Sequence, residues 1–427
     1  MIAEIKIRNF KSIRQLSLDL RFTKRAPNRH EDCAQFSFFE ETGVGRVVPV
    51  LGIYGPNASG KTSLVNATAL LKEIVINRWD VSFFKPNKIN SNFQETKDSS
   101  IGVTFFENLK KFDYSISYDQ KGIVEERLRI SDAEVFRVHK GELQLYGEKL
   151  VIKARSIREE FVTRCVNSSS GKQERTLLWC LRKEFPGIDE DIALAFDFFD
   201  NKLLIFPTNI LSMNFAFEKL VSLSRSEKDE QKKEEAIEKV LKLLKKLDTR
   251  IEGFDYRLVP VENQFQLQGS ADFRVNHEER RLERMEVFTQ HKTEDNSLVT
   301  FDLFQDESRG TQKTMALVAF FLWATETGKV LMVDELDSSL HPLLATTLIG
   351  IFKERRYNRS NAQLIFTTHS TDFLDDQVLK LTEVAFVDPR FESHILKLSE
   401  IKRLRNTNDF RKRYLRGDFG GIPYASL

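Results

Sequence analysis

The strongest constraint on this chain is one eight-residue run, Gly55-Pro56-Asn57-Ala58-Ser59-Gly60-Lys61-Thr62, set between two segments of different periodicity. Before it, Val47 to Tyr54 is a nearly continuous apolar run of the length of a buried strand. After it, Leu64, Val65, Leu70, Leu71 and Ile74 follow the 3.6-residue repeat of a half-buried helix. The run fits GxxxxGK[ST] and has the strand-before, helix-after context this pattern needs. Its glycines let successive N–H groups turn toward one point, and the helix start adds the positive end of its dipole. Phosphate oxygens suit that cradle. The expected contacts are Gly55, Asn57, Ser59, Gly60, Lys61, Thr62 and Ser63. Lys61 is placed to reach β- and γ-phosphates, and the Thr62 hydroxyl to hold Mg2+, a hard cation that prefers oxygen.

Composition sets what can surround the loop. With 427 residues, 41% apolar, 30% charged and 35 phenylalanines, the chain reads as soluble and globular, with an aromatic-rich interior. That length allows one large domain with an insertion, or two to three ordinary ones. The apolar run Leu317 to Ala324 falls far short of the roughly 18 residues of a membrane span, so no membrane helix is expected. The N-terminus opens on Ile2, Ile5 and Ile7 in strand-like alternation rather than as a cleavable leader, which points to the cytoplasm. Cys33, Cys165 and Cys180 are widely spaced and contain no CxxC pair, so they read as buried thiols rather than as a disulfide or zinc framework. A net charge of +2 neither requires nor excludes a polyanionic partner.

Along the chain, Met1 to about Leu20 alternates like an edge or near-edge strand pair, and Ile101 to Ile130 reads as an antiparallel hairpin turning at Asp119 to Gly122. Residues 1–150 thus hold the loop and a β subdomain. The next region, 151–290, lacks the α/β rhythm. It contains a Lys/Glu-dense helical stretch from Ser226 to Leu247, with Asp229 placed for a capping box, and reads as a mostly helical insertion. It lacks the sustained heptads of a long coiled-coil arm. In 291–427 the rhythm returns: a helix from Leu303 to Thr327, a strand at Val330–Val333, a helix after Pro342 and a strand at Gln363–Thr367. The expected fold is α/β, a mixed β subdomain plus a parallel sheet with flanking helices.

The strand Val330–Val333 ends at Asp334 and Glu335, the edge where parallel sheets hold ligands. Asp334 is expected to orient Mg2+ through water, and Glu335 to polarise the water that attacks a γ-phosphate. Standing alone, such a pair is also an ordinary acidic turn; the upstream loop gives it weight. Ser308 and Gly310, in Glu307-Ser308-Arg309-Gly310-Thr311-Gln312, precede an apolar-striped helix and make a second anion site at a helix start. Taken alone, this is an ordinary N-cap, and His369 an ordinary structural histidine.

The order of these parts resembles the ABC-type ATPase heads. The family's usual signature is Leu-Ser-Gly-Gly-Gln; here Ser308, Arg309, Gly310, Thr311 and Gln312 stand in its place, with arginine at one glycine position. The resemblance implies ATP and Mg2+ as cofactors, with Lys61, Glu335 and His369 as catalytic groups. It also implies a head-to-head homodimer or higher oligomer, in which Ser308 and Gly310 of one copy meet the γ-phosphate held by Lys61 of the other. Leu336, Asp337, Ser338 and Ser339 match the D-loop, His369 matches the switch histidine, and Gln94 is the positional candidate for the Q-loop. The opening Ile5, Ile7, Asn9, Phe10, Lys11, Ser12 and Ile13, with the Asp-Glu-Leu-Asp-Ser-Ser-Leu-His-Pro and Thr-Thr-His-Ser-Thr stretches, looks like the RecF/OLD-related ATPases. The closing Arg411 to Arg413, Tyr414, Gly417, Gly420, Gly421 and Pro423 resemble RloA and AbiL-type antiphage abortive-infection ATPases, which are encoded beside a RloB-type protein with a TOPRIM-like nuclease fold. The insertion matches much less specifically.

The function expected from this is an ATPase switch or sensor in antiphage defence, acting with a separately encoded TOPRIM-like nuclease, with DNA or a phage protein as further partners and no membrane. About 58 residues follow His369, and Glu383 and Asp388 lack an Asp-x-Asp partner, so no built-in nuclease is expected. The alternative is a RecF-like clamp on DNA, motivated by Lys402, Arg403, Arg405, Arg411, Lys412, Arg413 and Arg416, which could equally form a solvated or partner-facing surface. A transporter ATPase subunit is a third class, disfavoured by the insertion and the RecF-like opening.

Overall fold

The computed structural model describes residues 1–22, 46–87, 98–167, 171–206, 216, 219, 230–247, 250–260, 273–276, 281–338, 340–388, 394–401 and 410–419. Cys33, Gln94, Asp229, Ser339, Lys402, Arg403, Arg405, Gly420, Gly421 and Pro423 lie outside the described residues. β1 (Ile2–Phe10) and β2 (Ile13–Asp19) form an antiparallel pair that buries Ile5, Ile7, Leu16 and Leu18. β3 (Val50–Tyr54), buried throughout, leads through the loop into the helix Lys61–Ile76. Successive hairpins then give β4 (Ser99–Glu107), β5 (Lys110–Asp119), β6 (Gly122–Ile130), β7 (Ala133–His139) and β8 (Glu142–Leu145). At the turn between β5 and β6, Asp119 Oδ1 accepts the Lys121 and Gly122 N–H groups.

Within 151–290, the helices Ala154–Cys165, Leu177–Glu184, Glu190–Asp197 and Glu230–Lys246 share the region with strands that the sequence reading did not place. These are β9 (Leu203–Phe206), β10 (Ile251–Pro260), β11 (Phe273–Asn276) and most of β12 (Arg281–Lys292), which is followed by β13 (Leu298–Asp302). β9 is only four residues, too short for a period to show, whereas in β10 Phe254, Tyr256 and Leu258 alternate with Asp255 and Arg257 beyond a register shift between Ile251 and Gly253. β14 (Val330–Val333), β15 (Gln363–Thr367), β16 (Val384–Asp388) and β17 (His394–Lys397) complete the strands.

The chain divides into two compact units. The first, 1–209 with 328–339 and 352–427, contains two sheets. One is antiparallel, ordered β2-β1-β4-β5-β6-β7-β8; the other runs β17-β16-β3-β15-β14-β9, all parallel except β17. Leu64, Val65, Leu71 and Ile74 of the loop's helix share one core with Ile5 and Val103 of the first sheet and with Ile53, Met332 and Ile365 of the second. Gln363 ties the sheets further: its Oε1 accepts the Ile2 N–H at 2.8 Å, and its Nε2 donates to the Ile2 and Val48 carbonyls at 2.9 and 3.0 Å. Phenylalanines pack closely in this unit, where Phe105 stacks between Phe112 and Phe198 at centroid distances of 5.0 and 3.8 Å. Cys165 and Cys180 are buried and free, and the neighbouring Cys180 thiol, with burial second, raises the Cys165 pKa well above its usual value.

A carboxylate also supports this unit's scaffold. Glu126, fully buried on β6, accepts from the Leu177 and Leu178 N–H groups, from Tyr114 Oη and from Gln173 Nε2. It thereby occupies the N-terminus of the helix Leu177–Glu184, and burial raises its pKa to about 7.

The second unit, 210–327 with 340–351, has a sheet in which β10, β11 and β13 all pair with β12. The helix Glu230–Lys246 buries Val240, Leu243 and Leu244, while its Lys239 pairs with Glu326 of the helix Arg309–Glu326 at 2.6 Å. Its remaining Lys and Glu face outward where described, as a solvated helix face should.

Candidate functional site

In the second sheet the five parallel strands all end at one edge, and registers of Val333 with Phe366, Thr367 with Ile53 and Val333 with Phe206 bring those ends level. The segments after β3, β14 and β15 therefore emerge side by side, with β15 in the middle. This is the edge at which parallel α/β sheets present ligand-binding groups.

At the end of β3, Gly55 is required by contact. A Cβ there would lie 2.8 Å from the Val387 carbonyl oxygen and 2.7 Å from Ser59 Oγ. Gly60 has φ +110° and is the N-cap of the following helix, which has no side-chain cap among the described residues. The first N–H groups of that helix are thus left for something other than a capping side chain. Lys61 is 5% exposed, and its Nζ donates to the Gly55 and Pro56 carbonyls at 2.7 and 3.0 Å. Burial lowers the Lys61 pKa, while the charges of Asp334, Glu335 and Asp337 act to raise it. Asn57 and Thr62 are exposed, and Ser63 Oγ shares a hydrogen bond of 2.8 Å with Ser12 Oγ in the β1–β2 turn. Ser59 Oγ is buried with no hydrogen-bond partner among the described residues.

At the end of β14, Asp334 is 8% exposed and accepts the Thr367 hydroxyl proton at 2.5 Å. Glu335 is exposed, at φ +51°, and its N–H donates to the same Thr367 oxygen at 2.8 Å. The Leu336 N–H donates to the Thr367 carbonyl at 3.0 Å, and Ser338 N–H closes the turn onto Glu335 O at 2.8 Å. A non-glycine residue in the left-handed region is uncommon, and such residues concentrate at functional sites. Asp337 Oδ1 and Tyr54 Oη are likewise buried and without a hydrogen-bond partner among the described residues. Burial pushes the Tyr54 pKa well up, helped by the Asp337 charge. His369, two residues beyond β15, is exposed.

These residues fit a phosphate chain with a hard cation. Uncapped N–H groups, a buried lysine bonded only to loop carbonyls, an orphaned serine hydroxyl and an exposed threonine hydroxyl match phosphate oxygens and a metal. Thr62 and Asp334 are the residues that could hold Mg2+, with one Asp334 oxygen already committed to Thr367.

The second unit carries the other predicted contacts. Ser308 caps the helix Arg309–Glu326: its Oγ accepts the Thr311 N–H at 3.1 Å and lies 2.9 Å from Thr311 Oγ1. Gln312, 7% exposed, donates from Nε2 to the Glu307 carbonyl at 3.0 Å and so fixes the turn leading into the helix. Ser308, Arg309 and Gly310 are exposed. A Cβ on Gly310 would meet only Ser308 Oγ, at 3.7 Å, so packing within the chain does not call for glycine there.

Gly55, Asn57, Ser59, Gly60, Lys61, Thr62, Ser63, Asp334, Glu335, Asp337 and His369 all belong to the first unit, and Ser308 and Gly310 to the second. Thr367 and Ser12 add polar contacts to which the sequence by itself assigns no part. For Thr367 the signal was available: a hydroxyl ends an otherwise apolar strand, two residues before His369.

Residues 198–376, less than half of the chain, match the model of a family described as "AAA domain, putative AbiEii toxin, Type IV TA system". The matched span takes in Ser308–Gln312, the Asp334–Asp337 turn and His369, and leaves out Gly55–Thr62. No curated protein matches. Among solved structures, the SMC head domain from Thermotoga maritima is 14% identical, with 93% of this chain and 98% of that chain covered and a TM-score of 0.43. No helix among the described residues is long and apolar enough to cross a membrane.

Proposed function

We propose that this chain is an ATP-binding and ATP-hydrolysing switch of the ABC-head kind, which works as a head-to-head dimer in antiphage defence beside a separately encoded TOPRIM-like nuclease. The observation that carries the ATPase reading is the common strand edge: an uncapped helix start and a buried Lys61 lie where the fields of Asp334, Glu335 and Asp337 reach that lysine. In this reading Lys61 exchanges its two loop carbonyls for β- and γ-phosphate oxygens, which are stronger, charge-assisted partners. Mg2+, when bound, neutralises charge on the phosphates. Glu335 takes the proton of, or orients, the attacking water, and His369 senses the γ-phosphate.

The composite-site part draws on the second unit. Its signature segment is exposed and has a glycine with no internal requirement, as expected where another chain's ligand comes close to backbone. The defence part draws on the family match over residues 198–376 and on the RloA and AbiL-like ending. A clamp on DNA draws less support, because Arg411 is paired with Asp372 at 3.3 Å and Arg413 with Asp418 at 3.0 Å. The test is Glu335→Gln. With Mg2+ and ATP it should bind nucleotide, lose hydrolysis by about 100-fold or more and sediment as a dimer. Unchanged turnover would remove Glu335 as the catalytic carboxylate.

A further inference from the structure

We infer that Thr367 is a positioning residue for hydrolysis, whose single hydroxyl fixes the Asp334–Glu335 turn; this rests on the ATPase reading above. Thr367 is fully buried at the end of β15, the strand between the phosphate loop's strand and the carboxylates' strand. It holds three consecutive residues of the turn. Its Oγ1 accepts the Glu335 N–H at 2.8 Å and donates to Asp334 Oδ1 at 2.5 Å, and its carbonyl accepts the Leu336 N–H at 3.0 Å.

The polarity of this arrangement is fully determined. A hydroxyl has one proton, and a backbone N–H can only donate, so the threonine proton must go to the carboxylate. The chain N–H to Oγ–H to Oδ1 therefore works only while Asp334 accepts, and it leaves the other carboxylate oxygen for Mg2+ or its waters. It also anchors Glu335 at φ +51°, a conformation that an unanchored glutamate would leave for ordinary φ. Burial alone does not explain a hydroxyl here. Valine has the same shape and would suit an apolar strand end equally well, but it would leave the Asp334 oxygen and the Glu335 N–H without this partner. Thr367 touches neither nucleotide nor water in this account, and acts through the two carboxylates.

The experiment compares wild type, Thr367→Val and Thr367→Ser by equilibrium ATP binding, steady-state hydrolysis and thermal unfolding. Thr367→Val should lower kcat by about 10- to 100-fold, the penalty of a slightly misplaced catalytic group, and leave ATP affinity within about threefold, since the loop is untouched. Thr367→Ser should bring kcat back to within about threefold of wild type, because the hydroxyl is retained. A Thr367→Val enzyme as fast as wild type overturns the inference. So does a Thr367→Ser enzyme as slow as the valine variant, or a valine variant that loses ATP binding and hydrolysis together. If wild type itself binds but never hydrolyses ATP, the ATPase reading falls and the inference with it; active wild type with an unaffected valine variant sinks only the inference.

Discussion

The two helix starts proposed to meet phosphate differ in how finished they are. The helix Lys61–Ile76 begins at a glycine with no side-chain cap, has a buried lysine folded back on loop carbonyls, and lies in reach of three carboxylate charges. The helix Arg309–Glu326 begins at an exposed serine that already caps it, followed by an exposed arginine and glycine. The first, with its lysine and its neighbouring carboxylates, is assembled within its own unit. The second is stable as it stands, so whatever it does for phosphate depends on something brought to it. Capping separates the two: a helix that spends its serine on its own N–H groups needs no ligand to satisfy them.

The largest effect that would test this contrast is at the first start. Lys61→Ala should weaken ATP binding by about 100-fold, in keeping with the roughly 2–5 kcal/mol of a buried charged contact, as read by titration with a fluorescent analogue. Retained affinity would mean that the loop is not the nucleotide's anchor. Next comes Ser308→Arg, which should leave affinity within about threefold and cut phosphate release by about 100-fold, the usual loss when a transition-state contact is removed. A fully active variant would show that the second start is only a cap. The smallest effect is a pair of glycine changes without nucleotide. Gly60→Ala forces a Cβ into the left-handed region and should cost about 1–2 kcal/mol, whereas Gly310→Ala should stay within about 0.5 kcal/mol of wild type. Denaturant midpoints measure both, and equal losses would erase the distinction between the two glycines.

The sequence was most readable where one short segment carries its own signal. Val330–Val333 and Gln363–Thr367 are strands with the expected bounds, because each is a buried apolar run closed by polar residues. The loop was legible for the same reason. What stayed hidden depends on neighbours distant in sequence. β9 gains its place only by pairing with β14, more than a hundred residues on. The bonds of Thr367 to Asp334 and Glu335 span 33 and 32 residues, and no periodicity records a hydroxyl's partner across two strands. Glu126 is similar: an acid in a strand reads as surface, and only the helix start it occupies explains its burial.

The position of β9 has a further consequence. Among the described residues it is an edge strand of its sheet, and the chain between its end and β14 carries Ser308–Gln312. That excursion interrupts no ladder, since β9 and β14 pair with each other whatever length of chain joins them. The sheet whose edge carries Lys61 and Glu335 is therefore closed by two strands more than a hundred residues apart, and their pairing sets no length for the passage that joins them.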